Sequence, residues 1–130
     1  ITETECYLGA EDTACHAYKG RTKRTDIMWS QGGVCYVYLC YGIHNMLNFI
    51  SGPEGSPQGV LIRGVKGFDG PGKLTRALQI DRSFNGENLL TSDRIWIEEG
   101  TDIPFRATAR IGIDYAQEKD RNALWRFVAE

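Results

Sequence analysis

The segment Val34–Ile50, with the sequence VCYVYLCYGIHNMLNFI, decides the fold. It contains two runs rich in aromatic and β-branched residues, which favour β-strands, and a Tyr41-Gly42 step between them favours a turn. We therefore predict a β-hairpin whose side chains alternate between two faces on each arm.

Two residues of this hairpin are unusual for their positions. Tyr41 places a large aromatic ring at the turn, which suits insertion into a binding partner, whereas Tyr36 and Tyr38 are explained by ordinary strand packing. Asn48 places a polar amide among apolar neighbours. It must find hydrogen-bond partners, because an unsatisfied buried amide costs about 1–3 kcal/mol.

The length and composition predict one globular domain. The chain has 130 residues, 42% of them hydrophobic, and no apolar run approaches the roughly 20 residues of a membrane span. We therefore predict no membrane contact. The chain begins at Ile1 without an initiator Met, so we expect a missing or processed start, and no signal peptide is recognisable.

The cysteine pattern argues against disulfides and metal sites. Cys35 and Cys40 lie five positions apart on one predicted strand and therefore on opposite faces. A zinc site that combines the cysteines with His16 and His44 is an alternative, but the spacings match no common zinc motif. We predict no metal and free, mostly buried thiols in a reducing compartment, the cytoplasm. The cysteines are Cys6, Cys15, Cys35 and Cys40.

The net charge of −2 is unevenly distributed. Residues 1–12 carry a net charge of −4, residues 13–82 of +5, and residues 83–130 of −3. The basic charge is thus concentrated around the hairpin, and nucleic-acid binding needs a basic face, not a basic protein. A chance asymmetry on a solvated surface remains the alternative at this point.

The beginning of the chain combines a strand pattern with a basic loop. Glu3, Glu5 and Tyr7 fall on one face of a predicted strand, and two carboxylates beside an aromatic ring suit a cleft better than a core. The loop Lys19–Arg24 carries four positive charges in six residues. Beside a cleft, such a loop is a natural phosphate contact.

The remaining pattern predicts several short elements. These are a strand at 58–65, a helix from Pro71 to about Asp81, strands at 93–99 and 104–113, a helical excursion at 115–122 and a closing strand at 124–128.

Four motifs occur in order: ETECYLGAEDTACH, YVYLCYGIHNMLN, VLIRG and GPGKLTRALQID. Together they resemble the alkyladenine (3-methyladenine, purine) DNA glycosylase family, the single-domain type without a helix-hairpin-helix, over Thr2 to about Phe127. The predicted fold class is α+β: one mixed domain, residues 1–130, with a curved, mainly antiparallel sheet, a protruding hairpin at about 34–50 and a few short helices. The family has a helix and a strand before the first motif, and from the resemblance we expect this chain to lack them.

The resemblance implies a base-excision-repair enzyme. Such an enzyme flips an alkylated or deaminated purine out of the duplex and hydrolyses its N-glycosidic bond with water, without a cofactor. The implied partner is double-stranded DNA with damaged purines, and the implied state is a monomer. The expected location is the bacterial cytoplasm at the nucleoid, or the nucleus in a eukaryote.

The resemblance also assigns the reaction chemistry. Glu5 would stabilise the oxocarbenium-like sugar and deprotonate water, and Arg63 would help to fix that water and the nearby phosphate. Glu3 is left a structural role. One carboxylate suffices because an alkylated base leaves as a neutral molecule.

The binding roles follow in the same way. The flipped purine would lie between Tyr7 and Tyr38 with His16 beside it, and Asn48 would disfavour ordinary guanine. Tyr41 would fill the vacated position in the duplex. The expected phosphate contacts are Arg21, Lys23, Arg24 and Lys73.

Two other classes of protein remain open. A non-catalytic module that binds damaged DNA would share the fold but would not need Glu5. A zinc-dependent nucleobase deaminase would need Cys and His ligands at spacings that the chain does not have.

Overall fold

Every strand pairing in the sheet is antiparallel. The computed structural model describes residues 1–130, and the strands are β1 (Glu3–Tyr7), β2 (Cys35–Cys40), β3 (His44–Ile50), β4 (Gly59–Val65), β5 (Phe68–Asp69), β6 (Phe105–Thr108) and β7 (Arg126–Ala129). The helices are α1 (Pro71–Ala77), α2 (Glu118–Arg121) and three single-turn 3₁₀ helices at His16–Lys19, Asp26–Trp29 and Arg82–Phe84. The predicted α+β fold with an antiparallel sheet is confirmed.

The strand order places the first strand in the middle of the sheet. The order is β2-β3-β4-β1-β7-β6, and the short β5 pairs with β4. Glu5 of β1 is therefore flanked on both sides, by Leu61 of β4 and by Arg126 of β7. A residue at this position has sheet neighbours on each side and solvent on neither.

The predicted hairpin is confirmed. β2 and β3 pair from Cys35–Phe49 to Cys40–His44, and the three-residue loop between them carries Tyr41 at its tip. The Tyr41 side chain is 91% exposed, and its φ of 53° lies in the left-handed region. The ring thus projects into solvent at the far end of the hairpin.

The alternation along the hairpin builds two separate apolar layers. One face of the sheet carries the larger core, to which α1 contributes the fully buried Leu74; this cluster comprises Cys35, Val37, Leu47, Ile62, Leu74, Ile80, Phe84 and Leu89. The opposite face carries Cys15, Ala17, Met28, Tyr36 and Ile50. Tyr36 and Tyr38 lie on the second face, as the period-2 pattern predicted.

Three of the predicted elements are wrong in type or extent. Residues 93–99 do not form a strand, because the backbone N–H groups of Arg94 and Ile95 bond to the Ser92 hydroxyl and no neighbouring strand pairs with this segment. The helix at 71–81 ends at Ala77, since Gln79 adopts a φ of 56°.

The strand predicted at 104–113 is also shorter than expected. β6 ends at Thr108, after which the chain turns and carries the Arg110 guanidinium into the interior. Gly112, with a φ of 75°, continues this turn. The predicted helical excursion and closing strand are present as α2 and β7, with shifted boundaries.

Replacement of Leu74 by alanine tests the larger core. The Leu74 side chain has no exposed surface, so Leu74→Ala is expected to lower the free energy of unfolding by about 2–5 kcal/mol. Leu124→Ala is the matched control, because Leu124 is 59% exposed and its truncation should change stability by at most about 0.5 kcal/mol. Urea denaturation of both variants measures the difference, and equal losses would contradict this description of the core.

Candidate active site

A small cavity lies on the tyrosine-bearing face of the sheet. Its volume is about 40 Å³. Its walls are Tyr7, Ala14, Cys15, His16, Met28, Tyr36, Tyr38, Asn48, Ile50, Gly59 and Tyr115. The four residues predicted to contact a base are therefore brought together, and a purine would need side-chain movement to enter.

His16 packs into this cavity as a neutral imidazole. Its ring lies 4.5 Å from the Tyr38 ring between centroids, and its Nδ1 lies 3.0 Å from the Tyr36 hydroxyl. Burial lowers the pKa of His16 below its usual value of 6.5, and the positive charges of Arg24 and Lys19 lower this pKa further. The ring is therefore uncharged at neutral pH.

Asn48 finds the partners that its position demands. Its side-chain amide nitrogen donates to the carbonyl oxygens of Tyr36 (3.2 Å) and Met46 (3.4 Å). With both amide hydrogens engaged, the side-chain oxygen is the group left to meet a ligand. The same contacts also suit a satisfied structural amide.

Glu5 is buried, contrary to the prediction of a carboxylate in an open cleft. Its side chain has no exposed surface; Oε1 accepts from the Tyr7 hydroxyl at 2.9 Å and Oε2 from the Ile111 backbone N–H at 2.7 Å. The central position of β1 and the loop that carries Ile111 together account for this burial. Tyr7 alone connects the carboxylate to the cavity wall.

The Tyr7 phenol remains protonated and donates to this carboxylate. Burial raises the pKa of Tyr7 far above its usual value of 10, and the adjacent Glu5 charge and hydrogen bond raise it further. The carboxylate is therefore one hydrogen bond away from a ring that lines the cavity.

Arg63 lies beside Glu5 but is held by another carboxylate. Its Nε donates to Glu3 Oε1 at 2.8 Å, whereas its Nη1 lies 3.8 Å from Glu5 Oε1. Arg126 Nε donates to the same Glu3 oxygen at 2.6 Å. Burial alone would raise the pKa of Glu3, but the hydrogen bonds from Arg126 and Arg63 outweigh it and hold that pKa below 4.5.

The sequence pattern gave no indication of the role of Arg110. Its guanidinium makes a two-pronged contact with Asp12, at 2.7 and 2.9 Å, and donates to the Cys6 carbonyl oxygen at 2.9 Å. It also lies over the rings of Tyr7 and Trp125, 4.8 and 4.9 Å from their centroids. Because 98 residues separate it from Asp12, no local motif could have identified the pair.

Tyr36 and Tyr115 are two further cavity residues that were not predicted as site residues. Tyr36 is 2% exposed and bonds to His16, and Tyr115 donates its hydroxyl proton to the Ala14 carbonyl oxygen at 3.0 Å. Tyr36 was identifiable from its period-2 spacing with Tyr38, but Tyr115 lies in a loop without a comparable signal.

The residues predicted to contact phosphate lie on the surface in different electrostatic settings. Arg21 is paired with Asp26 at 2.6 Å, whereas Lys23, Arg24 and Lys73 are exposed and form no salt bridge. The Arg24 guanidinium lies 5.6 Å from the centroid of the Tyr38 ring. Arg24 is thus the basic-loop residue that contacts a cavity wall.

The cysteines, the metal-binding capacity and the helix lengths complete the description of the chain. All four cysteines are free thiols, as the sequence predicted. No group of three or more His, Cys, Asp or Glu side chains is arranged to hold a metal ion. No helix in the chain has the length and apolar character needed to span a membrane.

Comparison with known proteins agrees with this geometry. The methylpurine-DNA glycosylase family matches residues 1–69 and 65–130. Relatives named "Putative 3-methyladenine DNA glycosylase" include a Borreliella afzelii protein, 43% identical over 144 residues (100% of this chain, 77% of the relative), and a Psychrobacter cryohalolentis protein, 45% identical over 142 residues (89% and 67%). A Rickettsia felis relative with the same name is 45% identical over 136 residues (98% and 75%).

These matches place the chain in the class of DNA glycosylases. Within that class it belongs to the methylpurine-DNA glycosylase family. The resemblance seen in the four sequence motifs is thereby confirmed.

Removal of Arg110 tests the buried ion pair. Arg110→Ala leaves the buried Asp12 carboxylate with two backbone N–H donors but without its counter-charge, so the free energy of unfolding should fall by about 3–5 kcal/mol. The exposed Arg121 supplies the control, and Arg121→Ala should have an effect within about 0.5 kcal/mol. The double variant Asp12→Ala/Arg110→Ala should lose less than the sum of the two single variants. Additive losses in chemical denaturation would show that the pair does not act as a unit.

Proposed function

We propose that this protein is a monofunctional DNA glycosylase that removes damaged purines from double-stranded DNA by hydrolysis of the N-glycosidic bond. One observation carries the proposal: a cavity lined by Tyr7, His16, Tyr38 and Asn48 lies one hydrogen bond from the buried carboxylate of Glu5. We take the monomer to be the active state, as the resemblance implies. Reaction class and DNA as substrate agree with the family.

Glu5 is the proposed catalytic carboxylate. Cleavage of the glycosidic bond develops positive charge on the sugar, and a carboxylate beside that carbon stabilises the charge and can take a proton from the attacking water. A negative charge held in a site that excludes water acts more strongly than one in bulk solvent. Arg63, whose Nη1 lies 3.8 Å from Glu5 Oε1, has the proposed role of orienting the water or the adjacent phosphate.

Substrate entry must uncover this carboxylate. Glu5 has no exposed surface, so the base has to displace a cavity ring before the sugar can meet the carboxylate, and the Tyr7 ring is the one joined to Glu5. We propose that the entering base re-aims the Tyr7 hydroxyl and exposes one oxygen of Glu5 to the sugar. The Ile111 N–H would keep its bond to the other oxygen and so hold the carboxylate in place.

The electrostatics of the cavity favour a positively charged alkylated purine. A cationic base is attracted to the faces of the Tyr7 and Tyr38 rings, and stacking adds about 1–3 kcal/mol per base. His16 does not repel such a base, because its lowered pKa leaves the ring neutral at pH 7. A charged histidine at this position would oppose the same substrate.

Asn48 is the proposed filter against ordinary guanine. Its amide nitrogen is held by two backbone carbonyls, so the side chain cannot easily move aside. A base that places an amino group too close to this fixed side chain meets a steric clash. Adenine-derived bases lack that amino group.

Tyr41 is the proposed wedge that replaces the extruded nucleotide. It is the most exposed large hydrophobic side chain of the protein and lies at the tip of a hairpin whose base carries the cavity. Apolar side chains inserted between base steps unstack them at a cost of a few kcal/mol per step. A ring in the vacated position restores part of that stacking.

Two observations argue against the non-catalytic alternative. A binding module would not need a buried carboxylate beside its base cavity, since burial of an ionised group is unfavourable unless it is fully paired. It would also depart from the activity for which the family is named. The free thiols and the bacterial origin of the relatives favour action in a reducing bacterial compartment that contains the chromosome.

Glu5→Gln tests the catalytic assignment. A glutamine can turn its oxygen to the Ile111 N–H and its amide nitrogen to the Tyr7 hydroxyl, so the local hydrogen bonds should survive while the charge is lost. Base release from a 3-methyladenine-type duplex under single-turnover conditions should fall at least about 100-fold, while duplex affinity changes little. Glu11→Gln, on an exposed residue, should release base at the wild-type rate. Undiminished release by folded Glu5→Gln would remove Glu5 from the mechanism.

Tyr41→Ala tests the wedge. Loss of the ring should weaken binding to a lesion-containing duplex by about 1–3 kcal/mol and leave binding to single-stranded DNA nearly unchanged, because a single strand has no stack to fill. Phe105→Ala removes another exposed aromatic ring, on β6 at the opposite end of the sheet, and should affect neither affinity. Equal losses on duplex and single strand would contradict the proposed insertion.

A further inference from the structure

A second cleft lies against the outer edge of the hairpin. It has a volume of about 340 Å³ and is bounded by Lys23 and Arg24 of the basic loop, by β2 from Val37 to Leu39, and by Arg82 and Asn85. It shares the Tyr38 wall with the base cavity. We refer to it below as the edge cleft.

The edge cleft is unusually positive for a protein whose net charge is −2. Three cations border it, no acidic side chain does, and none of the three cations forms a salt bridge within the chain. Two other exposed arginines, Arg21 and Arg94, are neutralised locally by Asp26 and Glu87. Lys23, Arg24 and Arg82 are therefore available to an anion from outside.

The strand edge adds a backbone donor to these charges. β2 is the outermost strand, and alternate N–H groups of an edge strand point away from its partner. The outward N–H of Cys35 bonds to the Glu87 carbonyl oxygen at 2.9 Å, and that of Val37 bonds to Asn85 Oδ1 at 3.0 Å. The next in this series, Leu39, borders the cleft and has no protein acceptor.

From these observations we infer that the edge cleft binds one phosphodiester of the DNA strand that carries the extruded nucleotide, with Arg82 as a phosphate contact that the basic loop alone does not reveal. Three cations and an outward N–H match the charge and hydrogen-bonding capacity of a phosphate. The inference rests on the proposed DNA function, because a strand phosphate is the anion that such a substrate supplies.

The position of the edge cleft selects the phosphate. Leu39 precedes the wedge residue Tyr41 by two positions, which is about 7 Å along a strand. Tyr38 also lines the cavity that is proposed to take the base. A phosphate in the edge cleft therefore lies close to the extruded nucleotide, where it holds the backbone while the base turns.

Salt dependence gives this inference a quantitative test. Each phosphate neutralised by a basic side chain contributes about −0.9 to the slope of log K against log salt concentration for duplex DNA. The Arg82→Gln variant should flatten this slope by about 0.9 at most. It should weaken binding to lesion-containing and to undamaged duplexes by similar factors, because a phosphate contact does not distinguish one base from another.

Arg106→Gln is the matched control. Arg106 is also exposed and lies on β6, at the opposite end of the sheet from β2, so its loss should leave the slope unchanged. The same slope for Arg82→Gln and Arg106→Gln would overturn the inference, as would a loss confined to lesion-containing duplex.

Duplexes with single neutral methylphosphonate linkages locate the contact. The wild-type protein should lose affinity when the neutral linkage lies within one or two nucleotides of the lesion. On a duplex with that linkage, the Arg82→Gln substitution should lower the affinity little further. If the loss of affinity from the neutral linkage and the loss from Arg82→Gln add fully at every linkage position, the inference is overturned. Failure of the wild-type protein to release any base would count against the proposed function alone, since the slope and the linkage scan measure binding.

Discussion

The buried pair between Arg110 and Asp12 is the interaction on which the active site depends. Both side chains are almost completely removed from solvent, and the guanidinium also bonds to the Cys6 carbonyl oxygen and lies over the Tyr7 ring. The residue that follows Arg110 supplies the N–H that holds Glu5. One ion pair therefore fixes the ring that lines the base cavity and the backbone group that orients the carboxylate.

Burial of such a pair costs desolvation free energy, and its directional hydrogen bonds fix the geometry of the groups around it. Well-packed apolar residues of similar volume are often as stable as a buried ion pair, or more stable. They could not, however, tie β1 to the 110–116 loop with directional hydrogen bonds. The same reasoning applies to Glu3, whose Oε1 atom accepts hydrogen bonds from both Arg63 and Arg126. This shared oxygen joins β4, β1 and β7.

The parts of the fold that follow short-range rules were predictable from the sequence. Period-2 alternation identified the hairpin and both of its faces, and the exposed position of Tyr41 followed from its place at the turn. The predicted base-contact residues lie around one cavity because they belong to motifs of a recognisable family. Residues 93–99 alternate like a strand, but strand formation also needs a free edge to pair with, which no local pattern reports.

The burial of Glu5 and the role of Arg110 lay beyond single-sequence reasoning for a related reason. Two carboxylates on one strand face look like a solvent-facing pair until it is known that β1 is the central strand and that a distant loop covers it. The partners of both residues are about 100 positions away in the chain. Only the assembled sheet brings them into contact.

The narrowness of the cavity that is proposed to take the base has a consequence for how the protein would search a chromosome. A site of about 40 Å³, against about 340 Å³ for the edge cleft, does not admit every nucleotide that it passes. Each nucleotide must supply the free energy needed to separate the cavity rings. Bases that leave the double helix easily use less binding free energy for extrusion and have more left for this step. Weakened pairing and stacking would thus be sensed before any chemical recognition begins, and intact stretches of the genome would be passed over quickly.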